Sequence, residues 1–173
     1  MENVALIGFM GTGKSSVGKL LASRLGVIFA DLDAEIEAKC NMKIPQIFEK
    51  YGEDYFRARE KETVKEFASR KNTVIATGGG VVKDAENLKL LQESGLIIAL
   101  TANADVIYER TLKEGERPLL DNLSKSKRKQ RIKDLMEERK KLYENADYTV
   151  DTGELSPMQV VEDILKYIRI RRG

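Results

Sequence analysis

The sequence has no histidine and no tryptophan, and Cys40 is its only cysteine. Without imidazole there is no Ser-His-Asp triad, no Cys-His pair and no histidine acid or base. A zinc site of His and Cys ligands is excluded on the same ground. One cysteine forms no internal disulfide, so nothing points to an oxidising compartment, and Cys40 reads as a packing residue. Proton handling is left to Asp, Glu, Lys, Tyr, water and the thiol. No apolar run approaches the roughly 18–20 residues that cross a bilayer. The opening Met1-Glu2-Asn3 carries no positive stretch, and the apolar run behind it soon meets Lys14, which argues against a signal peptide. Charge of one sign is scarce as well: 30 Lys+Arg stand against 28 Asp+Glu, a net of +2. A soluble, cytoplasmic protein without a membrane partner is expected.

The 173 residues, 42% of them hydrophobic, suffice for one domain with a sizeable core. No repeat, low-complexity tract or linker divides them. Short apolar runs alternate with longer amphipathic segments, the pattern of an α/β domain with a largely parallel sheet. Strands are predicted at Val4–Ile7, Val27–Ala30, Val74–Ala76, Leu96–Leu100 and Tyr148–Val150. Helices are predicted from Lys14 to Leu25, stopped by Gly26, and over Ala34–Cys40 and Pro45–Tyr51. Further helices run through Phe56 to about Ser69, from Asp84 to Ser94, toward Lys113, from Lys125 to Tyr143, and from Pro157 onward. In the last, Val160, Val161, Ile164, Leu165 and Ile168 form the core face. Gly115–Leu123 reads as a loop with Arg117-Pro118 inside it.

Gly8-Phe9-Met10-Gly11-Thr12-Gly13-Lys14-Ser15 matches G-x-x-x-x-G-K-[ST] in full, between a predicted strand and a predicted helix. Its glycines let successive N–H groups wrap a phosphate chain, and the helix N-terminus adds its positive dipole end. Lys14 is the candidate for the terminal phosphates and the Ser15 hydroxyl for Mg²⁺. The motif alone does not separate a kinase from a GTPase, an ATPase or a nucleotide sensor. No N-K-x-D guanine-reading sequence occurs. The Gly115–Leu123 loop offers a lid, which a small-molecule kinase needs to keep water from the γ-phosphoryl group.

Asp31 and Asp33 stand at a strand's carboxyl end, where ligands of open α/β sheets bind. One suits metal support and the other an acceptor hydroxyl, although Asp33 also fits a helix cap. Arg57 and Arg59, near a helix start, suit a bidentate grip on a carboxylate, or a plain surface pairing with glutamate. Gly78-Gly79-Gly80 suits close approach to a ligand. Arg117 in the lid suits charge on a transferring phosphoryl group, or simple solvation. The basic run Lys125, Lys127, Arg128, Lys129, Arg131 and Lys133 is followed at once by acids and has no interleaved aromatic. It reads as a solvated helix face, so no nucleic-acid partner is expected.

These motifs together resemble the shikimate kinase family. The resemblance runs through Gly8–Ser15, Asp31-Leu32-Asp33, Phe56-Arg57-Ala58-Arg59-Glu60, Thr77–Val82, Arg110, Arg117-Pro118-Leu119-Leu120, and Arg139 with Tyr143. It implies a single three-layer P-loop kinase domain over 1–173, with a five-stranded parallel sheet in order 2-3-1-4-5. It implies a substrate-binding subregion at about 33–61 and a mobile lid at about 112–124. The implied reaction transfers the γ-phosphoryl of ATP to the 3-hydroxyl of shikimate, with Mg²⁺, on the route to chorismate. Within it Gly11, Thr12, Gly13, Lys14, Ser15 and Ser16 hold the nucleotide phosphates, and Ser15 and Asp31 serve the metal. Asp33, Arg57, Gly79, Gly80 and Arg139 hold shikimate, and Arg117 crosses from the lid to the phosphates. Arg110 and Pro157 enclose adenine. Lys14, Asp33 and Arg117 are the catalytic set. Residue chemistry alone asks only for an anionic polyol, and gluconate satisfies it too. With no evident apolar surface repeat, a monomer is expected.

Overall fold

The protein is described by a computed structural model covering residues 1–114, 117 and 119–173. In chain order its elements are β1 (Asn3–Ile7), α1 (Lys14–Leu25), β2 (Ile28–Asp31), α2 (Leu32–Cys40), α3 (Ile44–Tyr51), α4 (Glu53–Ala68) and β3 (Thr73–Ala76). A 3-10 turn (Val81–Lys83) leads into α5 (Ala85–Ser94), β4 (Gly95–Thr101), α6 (Ala104–Lys113), α7 (Lys125–Tyr143), β5 (Tyr148–Asp151) and α8 (Pro157–Arg172).

The five strands are all parallel in the order β2-β3-β1-β4-β5, as expected. Period-2 alternation divides the core into two layers. Val4 and Leu6 of β1, with Ile98 and Leu100 of β4, face Val17 and Leu21 of α1 and Val161 and Ile164 of α8. Ala5 and Ile7, with Ile75, Ile97 and Ala99, face Val64 and Phe67 of α4 and Leu91 of α5. Each fully buried Leu or Ile contributes about 1.5–3 kcal/mol relative to exposure. Every α8 residue expected on the core face is buried. Cys40 packs beside Ile36, Ile47 and Phe56 in a satellite cluster, as its packing role requires.

The predicted boundaries shift most at the second strand. β2 begins and ends one residue later than expected, and α2 starts at Leu32 rather than Ala34. Asp31 is the cap: its Oδ1 accepts from the amides of Asp33 and Ala34 at 3.1 and 3.3 Å. Asp33 therefore does not cap but lies in the first turn of α2. Leu32 explains the early start, because its fully buried side chain needs the helical turn to reach the core. The basic run also differs from a purely solvated face. Arg128 turns inward and donates to the carbonyls of Thr111 and Leu120 at 3.0 and 3.3 Å. The lid expected at about 112–124 includes Gly115, Glu116 and Pro118, which lie outside the described residues.

β1 is central and the chain returns on both sides of it, so the loop after β1 sits at the topological switch point. This is where open parallel sheets place their ligands.

Candidate active site

β1 runs straight into the glycine loop, and the loop's geometry leaves little choice of residue. Gly8 has φ of 146°, and a Cβ there would stand 2.3 Å from the Leu100 carbonyl oxygen. Gly13, with φ of 94°, makes the left-handed turn that starts α1. The Thr12 hydroxyl donates to the Phe9 carbonyl at 2.8 Å, pinning the loop from inside. Lys14 is 8% exposed and its Nζ donates to the Gly8 and Phe9 carbonyls at 2.8 and 2.9 Å. One of its three N–H donors remains. Burial pushes the Lys14 ammonium down to about 8, and the nearby Asp33 carboxylate opposes that fall.

The Ser15 hydroxyl donates to Asp31 Oδ2 at 2.5 Å, so two hard oxygens stand side by side at the loop's edge. That donor set fits Mg²⁺, which takes one or two protein oxygens and completes its shell with phosphate and water. Among the described residues, no group of three or more His, Cys, Asp or Glu could hold a metal ion.

Arg110 on α6 donates to the Gly11 carbonyl at 3.1 Å, and to the Thr152 hydroxyl and carbonyl at 2.9 and 2.7 Å. The Thr152 hydroxyl lies 3.0 Å from the Thr12 carbonyl. Arg110 thus ties the glycine loop to the segment after β5, and α8 opens five residues later at Pro157. Thr152 stands out only in three dimensions; a single threonine after a short strand carries no pattern.

A cavity of about 120 Å³ beside the loop is lined by Gly11, Gly13, Lys14, Ser15, Ser16, Asp31, Asp33 and Arg117, among others. A second, of about 350 Å³, is lined by Asp33, Arg57, Glu60, Gly78, Gly79, Gly80, Arg117 and Arg139 with the apolar Ile44, Phe48 and Phe56. Asp33, Gly78, Gly79, Arg117 and Met10 line both. Pro157 lines neither.

The three consecutive glycines have a steric cause. A Cβ on Gly78 would stand 2.8 Å from Asp33 Oδ1, and one on Gly79 would stand 3.3 Å from Arg139 Nη1. A Cβ on Gly80 would stand 2.7 Å from both terminal nitrogens of Arg57. Each glycine makes room for one charged side chain of the cavity. None of the three has a positive φ, so space rather than backbone conformation demands glycine here.

Arg57 is aimed by a buried partner on its own helix, Glu60. Its Nη1 donates to Glu60 Oε1 at 2.8 Å, one helical turn along α4. Glu60 is 2% exposed, and its Oε2 has no hydrogen-bond partner among the described residues. Burial pushes the Glu60 carboxyl up, opposed by Arg57. The i, i+3 spacing after Arg57 was the available signal. Arg59 points elsewhere: it makes the plain surface pairing, with Glu62 at 2.7 Å. Arg139, 4% exposed, reaches the cavity from α7, with its guanidinium 5.6 Å from the Phe9 ring centroid. One turn later, the Tyr143 hydroxyl donates to the Gly79 carbonyl at 2.6 Å.

Asp33 sits where the two cavities meet. Desolvation in the cleft, with the Asp31 and Glu60 carboxylates nearby, pushes it up to about 6, against Lys14 and Arg117. Arg117 pairs with Glu114, and its backbone amide donates to Asp121 Oδ2 at 2.7 Å. The arrangement can hold a phosphate chain on one side of Asp33 and a carboxylate between Arg57 and Arg139 on the other.

Comparisons with known proteins point to one family. The family described as shikimate kinase matches residues 10–169. The chain is 48% identical to the shikimate kinase of Thermodesulfovibrio yellowstonii, covering 100% of this chain and 99% of that protein. Among solved structures, the shikimate kinase from Acinetobacter baumannii in complex with shikimate matches with a TM-score of 0.93 at 38% identity, over 99% of this chain and 94% of that one. The Aquifex aeolicus shikimate kinase matches with a TM-score of 0.83 at 41% identity, over 96% of each chain. The chain belongs to the shikimate kinase family.

Proposed function

We propose that the γ-phosphoryl group of ATP passes in line to the 3-hydroxyl of shikimate at the junction of the two cavities, with both substrates bound. Family membership supports the reaction itself, ATP-dependent phosphorylation of shikimate in aromatic biosynthesis. The observation that carries the site assignment is Asp33, which lines both the phosphate-loop cavity and the cavity of the two arginines.

Phosphoryl transfer asks a protein mainly for positioning and for positive charge near the transferring oxygens. The amides of Gly11–Ser16 cradle the phosphates, and the remaining Lys14 donor reaches the terminal ones. Ser15 and Asp31 are the residues that would hold Mg²⁺, Asp31 through water. When bound, the ion would supply positive charge to neutralise the phosphates. Arg57, aimed by Glu60, and Arg139 grip the shikimate carboxylate from two walls. The Gly79 and Gly80 backbone meets the ring hydroxyls. Asp33 accepts the hydrogen bond of the 3-hydroxyl and orients its oxygen; the proton leaves late in a loose transition state, so no strong base is needed. Arg117 moves from Glu114 to the phosphates. Arg110 and Pro157 flank adenine.

The same reading makes the enzyme a cytoplasmic monomer without a nucleic-acid partner. Among the described residues, no helix is long and apolar enough to cross a membrane. Sedimentation at working concentration gives a single 19.5 kDa species if the monomer holds. The substrate test is ADP release with shikimate, gluconate and a panel of nucleoside monophosphates. Release with shikimate alone is expected. Release with gluconate instead, or with no acceptor at all, overturns the assignment.

A further inference from the structure

Tyr143 lines neither of the two cavities, yet its hydroxyl makes a 2.6 Å hydrogen bond to the Gly79 carbonyl. We propose that Tyr143 is a positioning residue: it locks the Gly79–Gly80 peptide so that the Gly80 amide faces the acceptor, and it ties that peptide to the helix that carries Arg139. The inference rests on the assignment of Gly79, Gly80 and Arg139 to shikimate.

The peptide plane fixes one direction by the other. The carbonyl of Gly79 and the N–H of Gly80 belong to one trans peptide, so they point in opposite directions. Holding the carbonyl toward α7 aims the Gly80 N–H away from α7. Between two glycines no Cβ resists a flip of this plane, so the orientation needs an external latch. Neither residue belongs to a strand of the sheet, whose third strand ends at Ala76.

Helical register couples Tyr143 to Arg139. Tyr143 follows Arg139 by one helical turn, so the two side chains share a face of α7. Arg139 Nη1 and the Met10 amide nitrogen each stand only 3.3 Å from the place of a Cβ on Gly79. A small slip of α7 along the glycine turn would close or widen that gap. The strut fixes it at one end while Arg139 acts at the other. The Tyr143 ring is anchored among apolar neighbours, and burial pushes its phenol pKa up, opposed by the Arg139 guanidinium.

The test is Tyr143→Phe, which deletes one oxygen and keeps the ring. A fivefold to tenfold rise in KM for shikimate is expected, the range of one neutral hydrogen bond. KM for ATP should stay within about twofold, and the melting temperature should stay close to that of the parent enzyme. Combined with Arg139→Lys, the two effects on shikimate KM should be less than multiplicative, because both act on one gap. An unchanged shikimate KM in Tyr143→Phe, with a raised one in Arg139→Lys, overturns the strut and leaves the site assignment standing. Unchanged values in both variants remove Arg139 from the site and the inference with it. A parallel rise in both KM values with a lower melting temperature also overturns the proposal, since it marks a purely structural bond.

Discussion

Asp33→Asn should make the protein more stable while it removes turnover. The carboxyl titrates near 6 in the fold against an ordinary 3.8. A group whose folded pKa is raised favours folding fully only below its unfolded pKa, and that contribution is lost as pH rises through the folded value. At pH 8 the ionised Asp33 therefore costs folding up to about 3 kcal/mol, from about 1.36 kcal/mol for each factor of ten in affinity for the proton. Water reaching the half-buried side chain trims this to about 1–3 kcal/mol. At pH 4.5 the same linkage leaves about 1 kcal/mol, because the folded carboxyl is then protonated while the unfolded one is still mostly ionised. Asparagine keeps the shape and never carries the charge. Urea unfolding at the two pH values reads the difference: at pH 8 the variant's midpoint should lie higher by roughly 1 M, for a slope of about 1–3 kcal/mol/M. The gap should narrow on acidification. Turnover should fall strongly while ATP binding survives. A variant no more stable than its parent at pH 8, or a gap that ignores pH, would refute the burial argument. Unchanged turnover would remove Asp33 from the acceptor site.

Other expectations follow from the same geometry. Lys14→Ala should abolish most of the melting shift produced by ATP at about 100 times its Kd, about 2.7 kcal/mol or roughly 5–10 °C for the parent chain; an unaltered shift would contradict the phosphate cradle. Arg57→Ala should weaken shikimate binding by about 2 kcal/mol, the low end of the 2–5 range because 29% of the side chain is exposed; a KM for shikimate equal to the parent's would deny Arg57 that role. Gly80→Ala should raise the shikimate KM with little loss of melting temperature, since its φ of −99° suits alanine and only the Arg57 guanidinium is displaced. Gly8→Ala, by contrast, meets a fixed carbonyl and should lower thermal stability markedly. Equal melting losses in the two glycine variants would contradict the distinction between space for a side chain and space for the backbone.

The phosphate loop was readable because its constraints are local. Gly8, Gly13 and Lys14 act within one turn of chain, and Gly26 stops α1 where a C′ glycine should. The Asp31–Asp33 step was harder. Either aspartate suits a cap, and what decides between them is the burial of Leu32, a tertiary contact. Arg57 and Arg59 likewise differ only in which face of α4 meets the cavity, which no local pattern specifies. The glycine triplet was visible, but its cause lies in Asp33, Arg139 and Arg57 approaching from three helices. Thr152 and Tyr143 owe their importance to carbonyls of loop residues far off in sequence. Substrate identity came from motif similarity, since two arginines and an aspartate describe a class of ligand and not one member of it.

The distance from the Asp33 carboxylate to the acceptor oxygen decides whether Asp33 orients the hydroxyl that receives the phosphoryl group. A crystal structure with shikimate and a non-hydrolysable ATP analogue would provide it. The 3-hydroxyl oxygen is expected at about 2.6–3.2 Å from Asp33, with the carboxylate of shikimate held between Arg57 and Arg139. A 3-hydroxyl turned away from Asp33, or a carboxylate bound elsewhere, would contradict it.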